Sequence, residues 1–187
     1  MKKLFSIALV FCLGIGIASA QETSFPKGTS AFNLGVGFAS GLYSGSGYKS
    51  KMPPITLSYE YCLTDKLFNN KGAIGIGGLV GYTGAKWNYM GDDYGWKYSN
   101  IIVGVRGNLH YSFLKKLDTY VSLMLGYNVA SAKAYGDWDD SLYKASAGGF
   151  RAGFNIGARY YFSNAFGVFA EAGYDISYFK VGVSLKL

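Results

Sequence analysis

Few side chains of this 187-residue sequence could support catalysis. His110 and Ser112 form a His-x-Ser pair, in which a histidine could activate a serine hydroxyl as a nucleophile. His110 is the single histidine of the chain, and the alternation described below turns it toward an enclosed interior, away from any lipid-facing surface. A nucleophile and its base must be placed where they can reach a substrate, whatever their residue types, and an enclosed interior does not provide this. The sequence therefore predicts that the protein is not an enzyme.

A second group of candidate residues carries charge at positions that alternate with apolar ones. If these positions line an enclosed interior, each charge must be paired or hydrogen-bonded, because an isolated buried charge is costly to desolvate. Glu171 is expected to lie diagonal to Arg159 and to Lys180 on neighbouring strands. The pattern predicts an internal salt-bridge network, and the alternative is a narrow gated pore lined by the same charges. The network residues are Glu60, Arg106, Arg151, Arg159, Glu171 and Lys180.

Two connecting segments combine aromatic and acidic side chains, a composition typical of surfaces that bind proteins or glycans. The alternative is a solvated loop whose aromatic side chains fold onto neighbouring structure. Asp137, Asp139 and Asp140 could approach a calcium ion, but their spacing lacks the full set of loop ligands. The sequence therefore predicts neither a metal site nor a cofactor. The candidate interaction residues are Trp87, Tyr89, Asp92, Asp93, Tyr94, Trp96, Asp137, Trp138 and Asp139.

Eight stretches that alternate apolar and polar residues must position these side chains. Most have the roughly 9 to 11 residues of a tilted membrane-crossing strand. One parity of each stretch is free of charge and rich in bulky apolar residues, whereas the other parity holds every strand charge and many glycines. The predicted strands are 32–38, 55–62, 73–82, 101–111, 119–130, 150–162, 166–174 and 179–187.

Alternation alone does not decide which parity faces outward, because a soluble up-and-down barrel would place its apolar set inward. An eight-stranded barrel has an interior just wide enough for side chains to fill, so the bulky apolar set would overfill it and the glycine-rich set would fit. The glycine-rich set is also sparser in charge than a soluble surface, which carries roughly 25 to 35% charged residues. The sequence therefore predicts an all-β fold, a closed eight-stranded antiparallel transmembrane β-barrel with an up-and-down meander.

The N-terminal residues predict export. Two lysines precede an apolar run that ends in Ala18-Ser19-Ala20, which is the pattern of a cleaved signal peptide. The predicted organisation is a signal peptide at 1–20, a short N-terminal segment at 21–30 and the barrel at 31–187. Short and long connections alternate, as expected for periplasmic turns and extracellular loops. The short connections are 63–71, 112–118 and 163–165, and the long ones are 39–54, 83–100 and 131–149.

The formal net charge of +7 raises the question of a nucleic-acid partner. After the leader, no run of Lys or Arg is longer than the pair Lys115-Lys116. The charges are therefore interpreted as scattered over solvated or interior positions, and no nucleic-acid partner is predicted. Cys62 is the one cysteine after the leader, so no internal disulfide is predicted.

Several of these features together resemble a known family. The Ala-x-Ala leader, the eight strands, the Phe-Gly-Val-Phe-Ala-Glu-Ala-Gly-Tyr stretch at 166–174 and the alternating last strand are similar to the small outer-membrane β-barrel domains that include the A- and X-type proteins. Leu187 departs from the aromatic last residue that is frequent among them.

The resemblance implies integral placement in the outer membrane of a Gram-negative cell, with insertion by the barrel-assembly machinery. It also implies contact with outer-membrane lipid and lipopolysaccharide. For function we predict a structural envelope role, or a surface interaction with an extracellular protein or glycan partner through the long loops. The alternative is a narrow porin-like channel for small solutes.

Overall fold

Eight antiparallel strands follow one another in chain order around a ring, and the last strand pairs with the first to close it. This computed structural model describes residues 23–38, 42, 48–89, 94–136 and 144–187. The predicted eight-stranded meander barrel is confirmed. The strands are β1 (Ser30–Phe38), β2 (Tyr48–Leu67), β3 (Gly72–Tyr89), β4 (Tyr94–Leu114), β5 (Leu117–Tyr135), β6 (Lys144–Tyr161), β7 (Phe166–Tyr174) and β8 (Phe179–Lys186).

The predicted signal peptide, residues 1–20, lies outside the described residues. Within the described ranges, no helix is long and apolar enough to cross a membrane.

The outer surface of the barrel is apolar. Val105, Leu123 and Leu125 have 64%, 65% and 68% of their surface exposed. Antiparallel partners share a face of the sheet, so apolar residues form rows around the barrel; Val103, for example, pairs with Val80 on one side and Tyr127 on the other. In all eight strands, the alternating residues that were predicted to face outward do face outward. We call the outward apolar side chains of β1 to β8 the apolar belt.

Three short turns mark one end of the barrel, here called the turn end, where aromatic side chains collect along the edge of the apolar belt. The ring of Tyr111 lies 6.0 Å from that of Phe68 and 4.8 Å from that of Phe113. Tyr160 and Phe162 lie 5.3 Å apart. Such aromatic edges are typical of the interfaces where a barrel leaves the lipid.

Strands β2 to β6 project beyond the other three at the opposite end. They have 18 to 21 residues each, whereas β1, β7 and β8 have 8 or 9. The extended parts of β3 to β6 form a continuous sheet, which we call the protruding wall. Its residues are 83–89, 94–100, 130–135 and 144–147.

The protruding wall corrects the predicted connections. Most of 83–100 and part of 131–149 are strand, and β2 already begins within the predicted connection 39–54. The prediction ended each strand where the apolar alternation ended. Backbone pairing does not require apolar side chains, and it continues to the pair Tyr89 and Tyr94.

Two chain segments close the ends of the barrel interior. At the turn end, residues 23–29 precede β1 and bury Phe25 completely; we call them the N-terminal plug. At the wall end, the connection between β7 and β8 folds inward and buries Asp175, Ile176 and Ser177. We call this connection the β7–β8 plug.

Candidate functional site: the barrel interior and the protruding wall

A ring of four titratable side chains lies near the turn end of the barrel interior. His110 Nε2 is 2.5 Å from Glu60 Oε1, and His110 Nδ1 is 2.9 Å from Asp118 Oδ1. Arg159 closes the ring, because its Nη2 donates to Glu60 Oε2 and its Nε lies 3.2 Å from Asp118 Oδ2. All four side chains are buried. We call this ring the lower cluster.

Both ring nitrogens of His110 face carboxylate oxygens. An imidazolium donates to both of them, whereas a neutral ring donates to only one. With the imidazolium, the lower cluster holds two positive and two negative charges, an arrangement that offsets the desolvation of each. Ser112 Oγ instead accepts a hydrogen bond from the backbone N–H of Ser24, at 2.8 Å. His110 and Ser112 therefore do not form a nucleophile and base.

The Arg159 guanidinium lies between two aromatic rings, with its Cζ 5.0 Å from the centroid of Phe25 and 4.6 Å from that of Tyr120. A desolvated cation–π contact of this kind is worth about 2 kcal/mol. Phe25 belongs to the N-terminal plug, which is held by hydrogen bonds from Cys62 Sγ to the Phe25 carbonyl (3.3 Å) and from Lys186 Nζ to the Ser24 carbonyl (3.2 Å). The plug therefore forms the floor of the lower cluster.

A second group of paired charges, the upper cluster, lies toward the wall end. Glu171 Oε1 accepts a hydrogen bond from Arg106 Nη2 at 2.7 Å, and Glu171 Oε2 lies 2.7 Å from Lys180 Nζ. Lys180 also donates to Asp175 Oδ2, which accepts a second hydrogen bond from Asn155 Nδ2 at 3.0 Å. The cluster holds two cations and two anions, all buried. It is neutral without a bound counter-ion.

Tyr120 connects the two clusters. Its hydroxyl donates to Glu171 Oε1 at 2.8 Å, while its ring packs against Arg159 and lies 5.4 Å from the ring of His110. The gap between the clusters is too narrow to hold a water molecule. The described interior is thus filled by side chains at this level.

An apolar layer covers the upper cluster. Ile176 of the β7–β8 plug packs with Leu79, Ile102 and Met124, and each of the four is at most 2% exposed. The interior therefore has a floor made by one plug and a roof made by the other.

Five of the six predicted network residues meet in these clusters, but in different pairings from those expected. Glu171 lies directly opposite Lys180 in the strand register rather than diagonal to it. Arg159 does not pair with Glu171; it pairs with Glu60 and Asp118. Arg151 lies at the rim, where its Nε donates to the Asp175 carbonyl at 2.8 Å.

Sequence reasoning missed Asp118, Asp175 and Phe25. Asp118 fell in the predicted connection 112–118, and Asp175 fell between the predicted strands 166–174 and 179–187; no pattern showed that either segment turns inward. The sequence did contain a feature that could have indicated burial of Phe25: it is the one aromatic residue between the predicted leader and the first strand.

The predicted interaction residues map to the far end of the protruding wall. Trp87 and Trp96 are direct register partners, and both are half-buried. Tyr89 and Tyr94 form the last pair of β3 and β4. The remaining candidates lie outside the described residues: Asp92, Asp93, Asp137, Trp138 and Asp139. Within the parts of the chain that the structure describes, no group of three His, Cys, Asp or Glu residues is placed to hold a metal ion.

A closed eight-stranded barrel with an apolar exterior and a polar, ion-paired interior is the architecture of the small outer-membrane barrels. Neither the protein-family models nor the curated proteins contain a match to this sequence.

Solved structures of that class do match. The fold is similar to the N-terminal β-barrel domain of Pseudomonas aeruginosa OprF, with 14% identity, a TM-score of 0.51, and coverage of 86% of this chain and 98% of that chain. It is also similar to Ail, the attachment invasion locus protein of Yersinia pestis, in complex with the heparin analogue sucrose octasulfate, with 15% identity, a TM-score of 0.50, and coverage of 86% and 96%. The resemblance to small outer-membrane barrels is confirmed at the level of the fold.

Proposed function

We propose that this protein is an integral outer-membrane barrel of a Gram-negative envelope, sealed to solutes, whose protruding wall interacts with an extracellular protein or glycan. In this proposal, residues 1–20 direct export and the barrel-assembly machinery inserts the chain. The observation that carries the proposal is the combination of an apolar belt outside with two neutral ionic clusters inside. Lipid tolerates the first, and in the second the charges that cross the middle of the interior are paired with one another, so that they do not line an open path.

The apolar belt supports placement in lipid. Apolar surface left in water costs about 25 cal/mol per Å², and large side chains such as Leu125, Ile156 and Phe150 are among the most exposed of the barrel. A bilayer removes this cost, whereas a soluble barrel would carry it on every strand. Aromatic side chains along the turn end are placed where the lipid would end.

The interior supports a structural role over the alternative of a narrow channel. Conduction would require the upper and lower clusters to separate, and removing one partner from a buried ion pair costs about 3–5 kcal/mol. Both plugs would have to move as well. A porin-like channel is therefore the less favoured proposal.

The protruding wall supports an interaction role. Its candidate side chains are held on paired strands, and Tyr135 on β5 donates a hydrogen bond to Asn88 Oδ1 on β3, across β4, at 2.6 Å. Trp87 and Trp96 lie side by side, and tryptophan is enriched among the residues that dominate binding energy at interfaces. A rigid aromatic surface limits the ordering cost of binding.

Accessibility of single cysteines tests the membrane placement. Val105→Cys and Leu123→Cys would lie in the apolar belt, and Ala145→Cys, at an exposed position of the protruding wall on its other face, is the control; all are made in a Cys62→Ser background. The full chain is expressed in a Gram-negative host, and isolated outer membranes are treated with a water-soluble maleimide. We expect labelling of Ala145→Cys alone until detergent and urea unfold the protein. Equal labelling of all three variants in the membrane would refute the proposal.

A further inference from the structure

The strand register aligns four lysine positions in a row across the protruding wall. Lys86 is the register partner of Lys97, Lys97 of Lys133, and Lys133 of Lys144. The side chains of Lys86, Lys97 and Lys133 are exposed. Neighbouring strands lie about 4.8 Å apart, so the row spans about 14 Å. These residues are far apart in the sequence, and the register alone brings them together; the interpretation of the charges as scattered was wrong here.

One member of the row has a partner within the sheet, because Lys97 Nζ lies 5.2 Å from the centroid of the Tyr135 ring, but this contact does not explain a row of several lysines. Like charges directly opposite one another on neighbouring strands destabilise a sheet. In the described part of β3 to β6, the outward positions next to the row hold no carboxylate. Below the row lie Gly84, Ser99, Ser131 and Ser146, and above it lie Asn88, Gly95 and Tyr135. An anion from outside the chain would offset the repulsion.

The height of the row indicates where that anion comes from. Tyr82, Ile101 and Val129 form the last row of the apolar belt on β3, β4 and β5, and on each strand the lysine lies four residues away, toward the wall end. Four residues cover about 13 Å along a strand, and a tilt of about 40° reduces this to a height of about 10 Å. The polar headgroup layer extends about 5 to 7 Å beyond the hydrocarbon, and the long lysine side chains can reach back to it from the row.

We infer that the lysine row binds the phosphate groups of a phosphorylated glycolipid in the outer leaflet. Ammonium groups bind phosphate as compact point charges, and the exposed lysines of three neighbouring strands, Lys86, Lys97 and Lys133, can contact more than one phosphate. The hydroxyls of Ser99, Ser131 and Ser146 lie between the lysines and the belt, within the region that sugar and phosphate oxygens would occupy. This inference rests on the proposed function, because it requires the barrel to lie in that membrane.

Binding of fluorescent lipid A that carries two phosphates tests the inference. The full chain is expressed in a Gram-negative host, extracted in detergent and titrated with the lipid. The test variant is Lys86→Gln/Lys97→Gln/Lys133→Gln. The matched control, Lys66→Gln/Lys115→Gln/Lys116→Gln, makes the same charge change at exposed positions of the turn end. Each lysine near a charged lipid surface contributes about fivefold in affinity, so the test variant should bind about a hundredfold more weakly. The control should stay within about twofold of the wild type.

Three results would overturn the inference: equal affinity of the test and control variants, equal affinity of the wild type for lipid A with its phosphates removed, or binding of sucrose octasulfate with none of lipid A. The last would assign the row to a sulfated glycan. Lys97→Gln alone, with an expected loss of about fivefold, keeps the test decisive if the triple variant does not fold. A heat-sensitive gel band for the wild type separates the two proposals: a chain that never inserts refutes the proposed function, whereas an inserted chain without phosphate preference refutes only this inference.

Discussion

Replacing Glu171 with glutamine should lower the free energy of unfolding of the barrel strongly, although the two side chains have nearly the same shape. Glu171 is 2% exposed and holds Arg106 and Lys180 at 2.7 Å each, while Tyr120 donates to it at 2.8 Å. The glutamine side chain is nearly the same size, so no cavity forms. The substitution changes the upper cluster from two cations and two anions to two cations and one anion.

The magnitude follows from the buried charge that is left uncompensated. Removing one partner of a buried pair costs about 3–5 kcal/mol. The amide oxygen of the introduced glutamine can still accept one hydrogen bond, so we expect about 3 kcal/mol. Removing a cation as well restores neutrality. The double variant Glu171→Gln/Lys180→Gln should therefore be more stable than the sum of its single variants predicts, by at least about 1 kcal/mol.

Equilibrium unfolding in urea, followed by the heat-sensitive gel band and by tryptophan fluorescence in the same detergent, measures both quantities. Lys180→Gln alone completes the double-mutant cycle. A loss below about 1 kcal/mol for Glu171→Gln, or simple additivity of the two single changes, would contradict the description of the upper cluster as a coupled, buried ionic group.

Three further predictions concern the plugs and the cysteine. Phe25→Ala should reduce the free energy of unfolding by about 3 kcal/mol, because it removes a buried ring and the floor of the lower cluster; no change in the urea midpoint would show that the plug does not dock. Ile176→Ala should cost about 2 kcal/mol in the same assay, since it opens a cavity in the apolar layer above the upper cluster, and an unchanged midpoint would argue against an inward β7–β8 plug. Cys62 is fully buried, so a thiol reagent should label it only after unfolding, and rapid labelling of the folded protein would contradict that position.

Much of the fold follows from the alternation of residue types. A strand has two faces, so Val103 and Val105 must share one and Arg106 must take the other. The outward direction followed from volume, because a small barrel interior cannot hold the bulky set. Strand length was less predictable, since hydropathy sets where a strand may lie in lipid but not how far its backbone pairing continues.

The details of the candidate sites required three-dimensional information. The sequence showed that Glu60, Arg159 and Glu171 face inward, but pairing across a barrel depends on register and on side-chain reach. The expected contact between Glu171 and Arg159 was replaced by Arg106, which lies on β4 across the interior. The lysine row is the clearest case, because its members become neighbours only when four strands pair in one register.

Current recordings from planar bilayers test whether the paired charges and the two plugs seal the barrel. Wild-type protein purified from outer membranes and shown to be folded by its heat-sensitive gel band would be incorporated at increasing concentration. A sealed barrel should give a steady baseline without discrete openings. Reproducible openings of one unit size, whose frequency increases with the amount of folded protein, would contradict it.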